Sequence, residues 1–530
     1  MPVPVLSRAS LGWLVLAVLA LAGCEPAPSQ PSATTQPVAE RIAEKSPPAA
    51  EPFVPLAEPR DGGRLLEEEW YALSIAGSRV GYTHATIAEV EEGKQKLLRL
   101  RGATRMVMRR EGQPTTQDIL LTSWETPAGQ VLRCESRMTA GPAELVATGT
   151  VTGDKLELVT GSLGKTQRQS LPWQADFGGF FADQQALRRA PLKPGEKRTI
   201  KALQPVLNVV AEMRFTAGDY ETVRLPVGER KLLRVDCQLQ LGNQPLETIY
   251  WIDEQGHARK SLVPQIGQEI VQTTAADALQ PGIGTGYDLM IASTVKLRGE
   301  LPNPPATKRV VYEARVSQGK IAGIFPECLA QRVKPIDEQT AEVTVLAIRP
   351  DDPAKADIPP APPAADDLAP NNLIQSDDPL IVKMAQEGAA AGSDWEVAQA
   401  LERFVSRTIT SKNYSQVFAT ASEVARAKEG DCTEHAVLLA ALLRARKIPA
   451  RAALGLVYYP KQRGFAYHMW NEAWIDGRWV PLDATLGRGG IGADHLKLAD
   501  TSLQGASAYG AMLPVIQVFG RLELSVQSVE

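Results

Sequence analysis

The chain lacks the marks of several large functional classes. Its 57 Lys and Arg against 61 Asp and Glu leave a formal net charge of −4, so there is no basic footprint for nucleic acid. It has five cysteines in 530 residues, with no Cys-x-x-Cys and no zinc-ribbon spacing. That excludes a disulfide-built scaffold and a Cys-rich metal ribbon. Apart from Leu11–Leu21, which is too short to span a bilayer comfortably, no long apolar run occurs. No internal repeat is found. His84 and His257 stand alone in the sequence and read as ordinary packed or surface histidines.

What is present begins with Arg8, the apolar run, and Leu21-Ala22-Gly23-Cys24. This pattern is that of a signal peptide, and its end resembles the bacterial lipobox, which implies that Cys24 is lipidated and becomes the first mature residue. Residues 1–23 are then removed. Residues 24–62, rich in Pro, Ala, Ser, Gln and Glu, cannot bury enough apolar surface to order themselves and read as a tether. The expected location is the cell envelope, with the chain held to a bacterial membrane through acylated Cys24 and facing the periplasm or the exterior.

A chain of this length exceeds one ordinary core. Residues 63–285 alternate apolar and polar residues in short stretches, for example Glu69–Ile75 and Leu145–Val151, separated by turn signals such as Thr152-Gly153-Asp154. They predict a large antiparallel all-β region, a sandwich or barrel. Residues 286–350 predict a small β module with strands at Arg309–Val316 and Ala341–Ile348. Residues 351–370 include Ile358-Pro359-Pro360-Ala361-Pro362-Pro363, a proline-rich linker. Residues 371–530 change to helical spacing, first at Asp394–Thr408, and complete an α+β fold class for the whole.

The chemistry lies in this last segment. Thr420 and Glu423 predict a capping box for a short helix that Gly430 would end. Asp431 then caps a second helix, with Glu434 three residues on, which makes Cys432 its first residue. The free amides and dipole at a helix start favour an anion, so a thiolate is stabilised there. Ala436–Leu443 is apolar on nearly every side and predicts a helix through the core. After Ile448-Pro449-Ala450-Arg451 come two strands, one carrying His468, the other ending at Asp483. The Asp476-Gly477 turn sets their register: opposed residues have numbers summing to 953, which brings Asp483 beside His468. Trp470, Trp474 and Trp479 read as core or cleft-wall aromatics. A thiol, an imidazole and a carboxylate can serve as nucleophile, base and orienting group. Cys432, His435, His468 and Asp483 also offer metal ligands, but the triad already accounts for them. No metal and no cofactor, calcium included, is expected.

Gly430-Asp431-Cys432-Thr433-Glu434-His435, Leu442-Leu443-Arg444-Ala445, Ile448-Pro449-Ala450-Arg451, His468-Met469-Trp470-Asn471-Glu472 and Leu482-Asp483-Ala484-Thr485 resemble, in order and spacing, the bacterial transglutaminase-like family. The resemblance covers roughly the last 150 residues. It implies a papain-like α+β domain with Cys432, His468 and Asp483 as catalytic triad, acting on a protein or peptide substrate through a thioester. Ala484 departs from the Pro often found after the family's Asp. Transamidation and hydrolysis, including proteolysis, both stay open, as does a non-catalytic envelope scaffold that keeps the fold and binds a partner through its β region. An oxyanion could be held by the Cys432 amide with a second donor, for which Tyr414 and Gln416 are candidates.

Overall fold

The computed structural model describes Leu56 and residues 63–530, except 111, 141–142, 163–164, 242–243, 282, 285–286, 349–360, 413–418 and 505–512. The expected leader, Cys24, the expected tether other than Leu56, the first half of the expected proline-rich linker, Tyr414 and Gln416 lie outside the described residues. No described helix is long and apolar enough to cross a membrane.

The N-terminal region forms one fourteen-stranded antiparallel sheet. A first meander runs from Arg64–Ile75 to Lys165–Pro172. A second runs from Lys197–Gln204 to Gln268–Thr273. They join where Arg64–Ile75 pairs with Gln268–Thr273, Leu73 opposite Ile270. The expected antiparallel β region is therefore a single continuous sheet. Among the described residues no ladder closes Lys165–Pro172 onto Lys197–Gln204. The strands form because their side chains alternate. In Gly228–Leu241, Val235, Cys237, Leu239 and Leu241 are buried while Gln238 and Gln240 face out, as period-2 geometry requires.

The strands of residues 286–350 hydrogen-bond into the C-terminal sheet. That nine-stranded sheet runs Gln331–Pro335, Thr340–Leu346, Arg309–Val316, Leu522–Val529, Val295–Arg298, Gly464–Ile475, Ala450–Tyr459, His495–Thr501. Arg478–Leu482 pairs with Gly464–Ile475. So the segment expected to be a separate module shares one sheet with the chemistry-bearing domain. The last strand of the chain, pairing with Arg309–Val316 and Val295–Arg298, stitches the two together; so long-range a pairing carries no local sequence signal.

A group of helices packs beside this sheet. Cys432–Ala445 contacts Pro379–Gly388, Asp394–Thr408 and Ala421–Ala427, and rests on the strands Gly464–Ile475 and Ala450–Tyr459. Every residue from Cys432 to Arg444 is buried, as the apolar run Ala436–Leu443 predicts for the middle of the helix. Cys134, Cys237, Cys328 and Cys432 are free thiols.

Candidate active site

The capping box at Thr420 and Glu423 forms as the sequence predicts, but its helix ends earlier, at Ala427, with Lys428 in the left-handed conformation (φ 56°). Gly430 serves a different purpose. Its φ is 152°, and a Cβ there would meet Glu434 Cβ at 2.4 Å, so only glycine lets the chain pass this close to the next helix. Asp431 caps that helix: its Oδ1 accepts from the Thr433 amide at 2.8 Å, and its own amide donates to Glu434 Oε2 at 2.9 Å. Cys432 is thus the first helical residue. It lies in the first turn, where free amides and the helix dipole favour an anion, and the residue is 1% exposed.

The two strands meet in the predicted register, with Ile475 opposite Arg478, Ala473 opposite Val480 and Asn471 opposite Leu482. Asp483 follows directly, and its Oδ2 lies 2.8 Å from His468 Nε2, both side chains fully buried. With Nε2 so engaged, the other ring nitrogen, Nδ1, is buried and, among the described residues, makes no hydrogen bond of ordinary geometry. Cys432 stands near enough to act on this imidazole as a charge and as a hydrogen-bonding group. Burial pushes His468 down; the Asp483 carboxylate, then Cys432, outweigh it and raise the imidazole to about 9. Burial also opposes the charge on Asp483, yet His468 and His495 hold that carboxyl well below its usual range. The structure therefore gathers Cys432, His468 and Asp483 in one buried site.

Several neighbours fix this geometry. Asn471 Nδ2 donates to the Ala436 carbonyl at 2.9 Å and ties the histidine strand to the cysteine helix. Trp470 is fully buried, with its ring stacked 6.2 Å from His468. Gly455 lies opposite His468. A Cβ there would meet Leu496 O at 2.0 Å and Trp470 at 2.7 Å, so the bare glycine lets the strand of His495 close in. Trp474 and Trp479 pack edge to face, 5.3 Å apart. Glu472 turns to ion pairs, with Arg451 at 2.7 Å and Lys497 at 2.7 Å. His435 Nδ1 contacts the Asp431 carbonyl at 2.6 Å; burial and then the charge of Lys412 lower its imidazole to about 4. It is neutral and its Nδ1 is spent on the helix start.

Three participants have no signal in the local sequence. Glu402, on the helix Asp394–Thr408, accepts from the Asp483 amide at 2.9 Å and the Gly490 amide at 3.2 Å. Burial, against those bonds, raises its carboxyl to about 8, so it is neutral near neutral pH and adds no charge beside Asp483. His495 Nε2 lies 3.0 Å from the same Asp483 Oδ2 that holds His468, and its Nδ1 lies 2.7 Å from Asp494 Oδ1. Arg110, from the N-terminal sheet, donates to Asp431 Oδ2 at 2.8 Å. One ligating atom each from His468, Asp483 and His495 falls within 4.8 Å of the others. A metal could use such a group, but the hydrogen bonds among these residues already occupy it.

Residues 382–484 match the transglutaminase-like superfamily. No curated protein matches the chain. Among solved structures, a protein described as a "Putative Cysteine Protease" from Cytophaga hutchinsonii is 18% identical, covering 42% of this chain and 89% of its own, with a TM-score of 0.27. A "Putative Protease" from Parabacteroides distasonis is 13% identical, covering 67% of this chain and 68% of its own, with a TM-score of 0.18. A beta-barrel-like protein of unknown function from Brucella abortus is 10% identical over 39% of this chain and 94% of its own, with a TM-score of 0.28.

Proposed function

From a transglutaminase-like domain at residues 382–484, we propose a cysteine enzyme that acts on amide or peptide carbonyls. The observation that carries this reading is the 2.8 Å contact of His468 Nε2 with Asp483, which leaves Nδ1 for a thiol at the start of a buried helix. In the mechanism, the Cys432 thiolate attacks the carbonyl carbon. The tetrahedral intermediate collapses with cleavage of the C–N bond, and the leaving amine takes a proton from His468. A thioester remains. An incoming amine, or water, gives its proton to His468 as it attacks, and the thiolate departs to restore the enzyme. Asp483 holds the imidazole in the tautomer and orientation that both halves need. The Cys432 amide is one oxyanion donor in this scheme.

The same proposal includes acylation of Cys24, with the 24–62 segment spacing the enzyme from a membrane. A Cys24→Ala variant that stays in the membrane fraction after processing would remove that part.

A non-catalytic reading has one observation in its favour, the near-complete burial of Cys432, because a carbonyl reaches the thiol only after its cover moves. Iodoacetamide labelling decides between the two. The enzyme reading expects Cys432 to be alkylated at neutral to slightly acidic pH, far faster than the other buried thiols. Failure to label in the folded protein would sink it. Capture of an acyl-enzyme from envelope extract, absent in Cys432→Ala, would then identify the acyl donor. Amine incorporation against acid release separates transamidation from hydrolysis.

A further inference from the structure

His495 lies beyond the segment that matches the transglutaminase-like superfamily, on the strand His495–Thr501, yet its side chain is fully buried against Asp483. Both of its ring nitrogens face carboxylates: Nε2 is 3.0 Å from Asp483 Oδ2 and Nδ1 is 2.7 Å from Asp494 Oδ1. An ionised carboxylate only accepts, so each nitrogen must donate and the ring is an imidazolium. The titration behaviour agrees. Burial pushes it down, but the charge of Asp494 and then the bond to Asp483 raise His495 to about 9.

The surroundings leave this cation little else to answer to. Trp470 meets it edge-on at 5.4 Å. Asp494 is backed by Arg488 at 3.7 Å. Tyr312 donates its hydroxyl to the Ala493 carbonyl at 2.9 Å, and burial, then the charges of Asp494 and Tyr458, keep it a neutral phenol. Glu402, on the Asp483 amide, is neutral near neutral pH. Charges therefore alternate along the line His468, Asp483, His495, Asp494 and Arg488.

The two histidines compete for one atom. His468 and His495 both donate to Asp483 Oδ2, while Oδ1 accepts from the Thr485 amide at 2.8 Å. Their rings stand 5.9 Å apart, close enough for like charges to repel appreciably in a buried site. We propose that His495 is a positioning residue: as a second imidazolium on the oxygen that binds His468, it limits how tightly Asp483 holds the His468 proton and so keeps that proton deliverable. This inference rests on the reading of Cys432, His468 and Asp483 as nucleophile, base and orienting group.

The test is the rate of Cys432 alkylation by iodoacetamide across pH, read by peptide mass spectrometry in the full-length chain. Wild type, His495→Gln and Asp494→Asn are compared. The Asn variant keeps the acceptor atom and the shape of the site while removing the charge that sustains the imidazolium, so it carries the test where the Gln variant folds poorly. In both variants the upper inflection, where His468 loses its proton, should move up by about one to two pH units. An upper inflection that stays in place in folded variants overturns the inference alone. A wild-type Cys432 that reacts as an ordinary thiol, with no upper inflection, overturns the reading of the site and the inference with it.

Discussion

Arg110 and Asp431 form a buried ion pair, 2.8 Å apart and 3% and 2% exposed at their side chains, that pins the N-terminal sheet to the residue just before Cys432. Arg110 ends the strand Gln95–Arg110. Asp431 thus has two tasks: one oxygen caps the helix and the other receives the guanidinium. Its buried charge is answered from a different domain.

Removing that answer should be costly. Arg110→Met leaves a buried carboxylate without its cation, and such a loss typically destabilises by about 3–5 kcal/mol. The double variant Arg110→Met/Asp431→Asn should recover part of it, because the Asn still caps the helix and no charge is stranded. Denaturant unfolding of the three proteins checks this. Equal midpoints for wild type and Arg110→Met would show the pair to be neutral.

Asp483→Asn should slow the alkylation of Cys432 at pH about 6. The carboxylate is what lifts His468 to about 9 against burial. Without it the imidazolium loses its proton at lower pH and no longer favours an anion at Cys432. A fall of at least about tenfold in Cys432 alkylation at that pH is expected, one pKa unit being a factor of ten. An unchanged rate would mean that the helix start alone sustains the thiolate.

Stability should fall as pH rises from about 6 to about 9.5. Glu402 binds its proton more tightly when folded, so the fold loses stability as pH climbs from the ordinary glutamate range through about 8. His468 and His495, raised to about 9, contribute stability that is fully present below their unfolded value near 6.5 and is lost as pH passes 9. Asp483 acts oppositely, held low by its neighbours, so its contribution disappears only in acid. Calorimetry near pH 6 and pH 9.5 should show the lower Tm at the higher pH. Glu402→Gln, neutral at every pH, should flatten the first part of the decline. A Tm that rises over this range would contradict the assignment.

The sequence reveals the parts of this site that are written locally. Asp431 and Glu434 frame Cys432 within four residues, and the Asp476-Gly477 turn alone fixes which residues face each other across the hairpin. What stays hidden depends on distant pairing. Arg110 is 321 positions from Asp431, and Glu402 is 81 from Asp483. His495 is near in sequence, but the loop from Ala484 to Asp494 has no periodicity that would turn it back onto the carboxylate. Likewise the adjacent hairpins of the N-terminal sheet are legible as strand, turn and strand. The closure of Arg64–Ile75 onto Gln268–Thr273 is not, because strand edges carry no address.

The shared sheet leads to a last prediction. A fragment of residues 371–530 would lack Val295–Arg298, Arg309–Val316, Gln331–Pro335 and Thr340–Leu346. The C-terminal strand Leu522–Val529 would then lose both its neighbours, with Leu522 and Leu524 uncovered. It would present an unpaired apolar edge, which invites aggregation. A fragment starting at residue 286 keeps those strands and should be soluble and cooperative, though it still leaves Asp431 without Arg110. Expressing the two side by side and following unfolding by circular dichroism tests this. A 371–530 fragment as soluble and as cooperative as the longer one would show that the added strands decorate a domain able to fold without them.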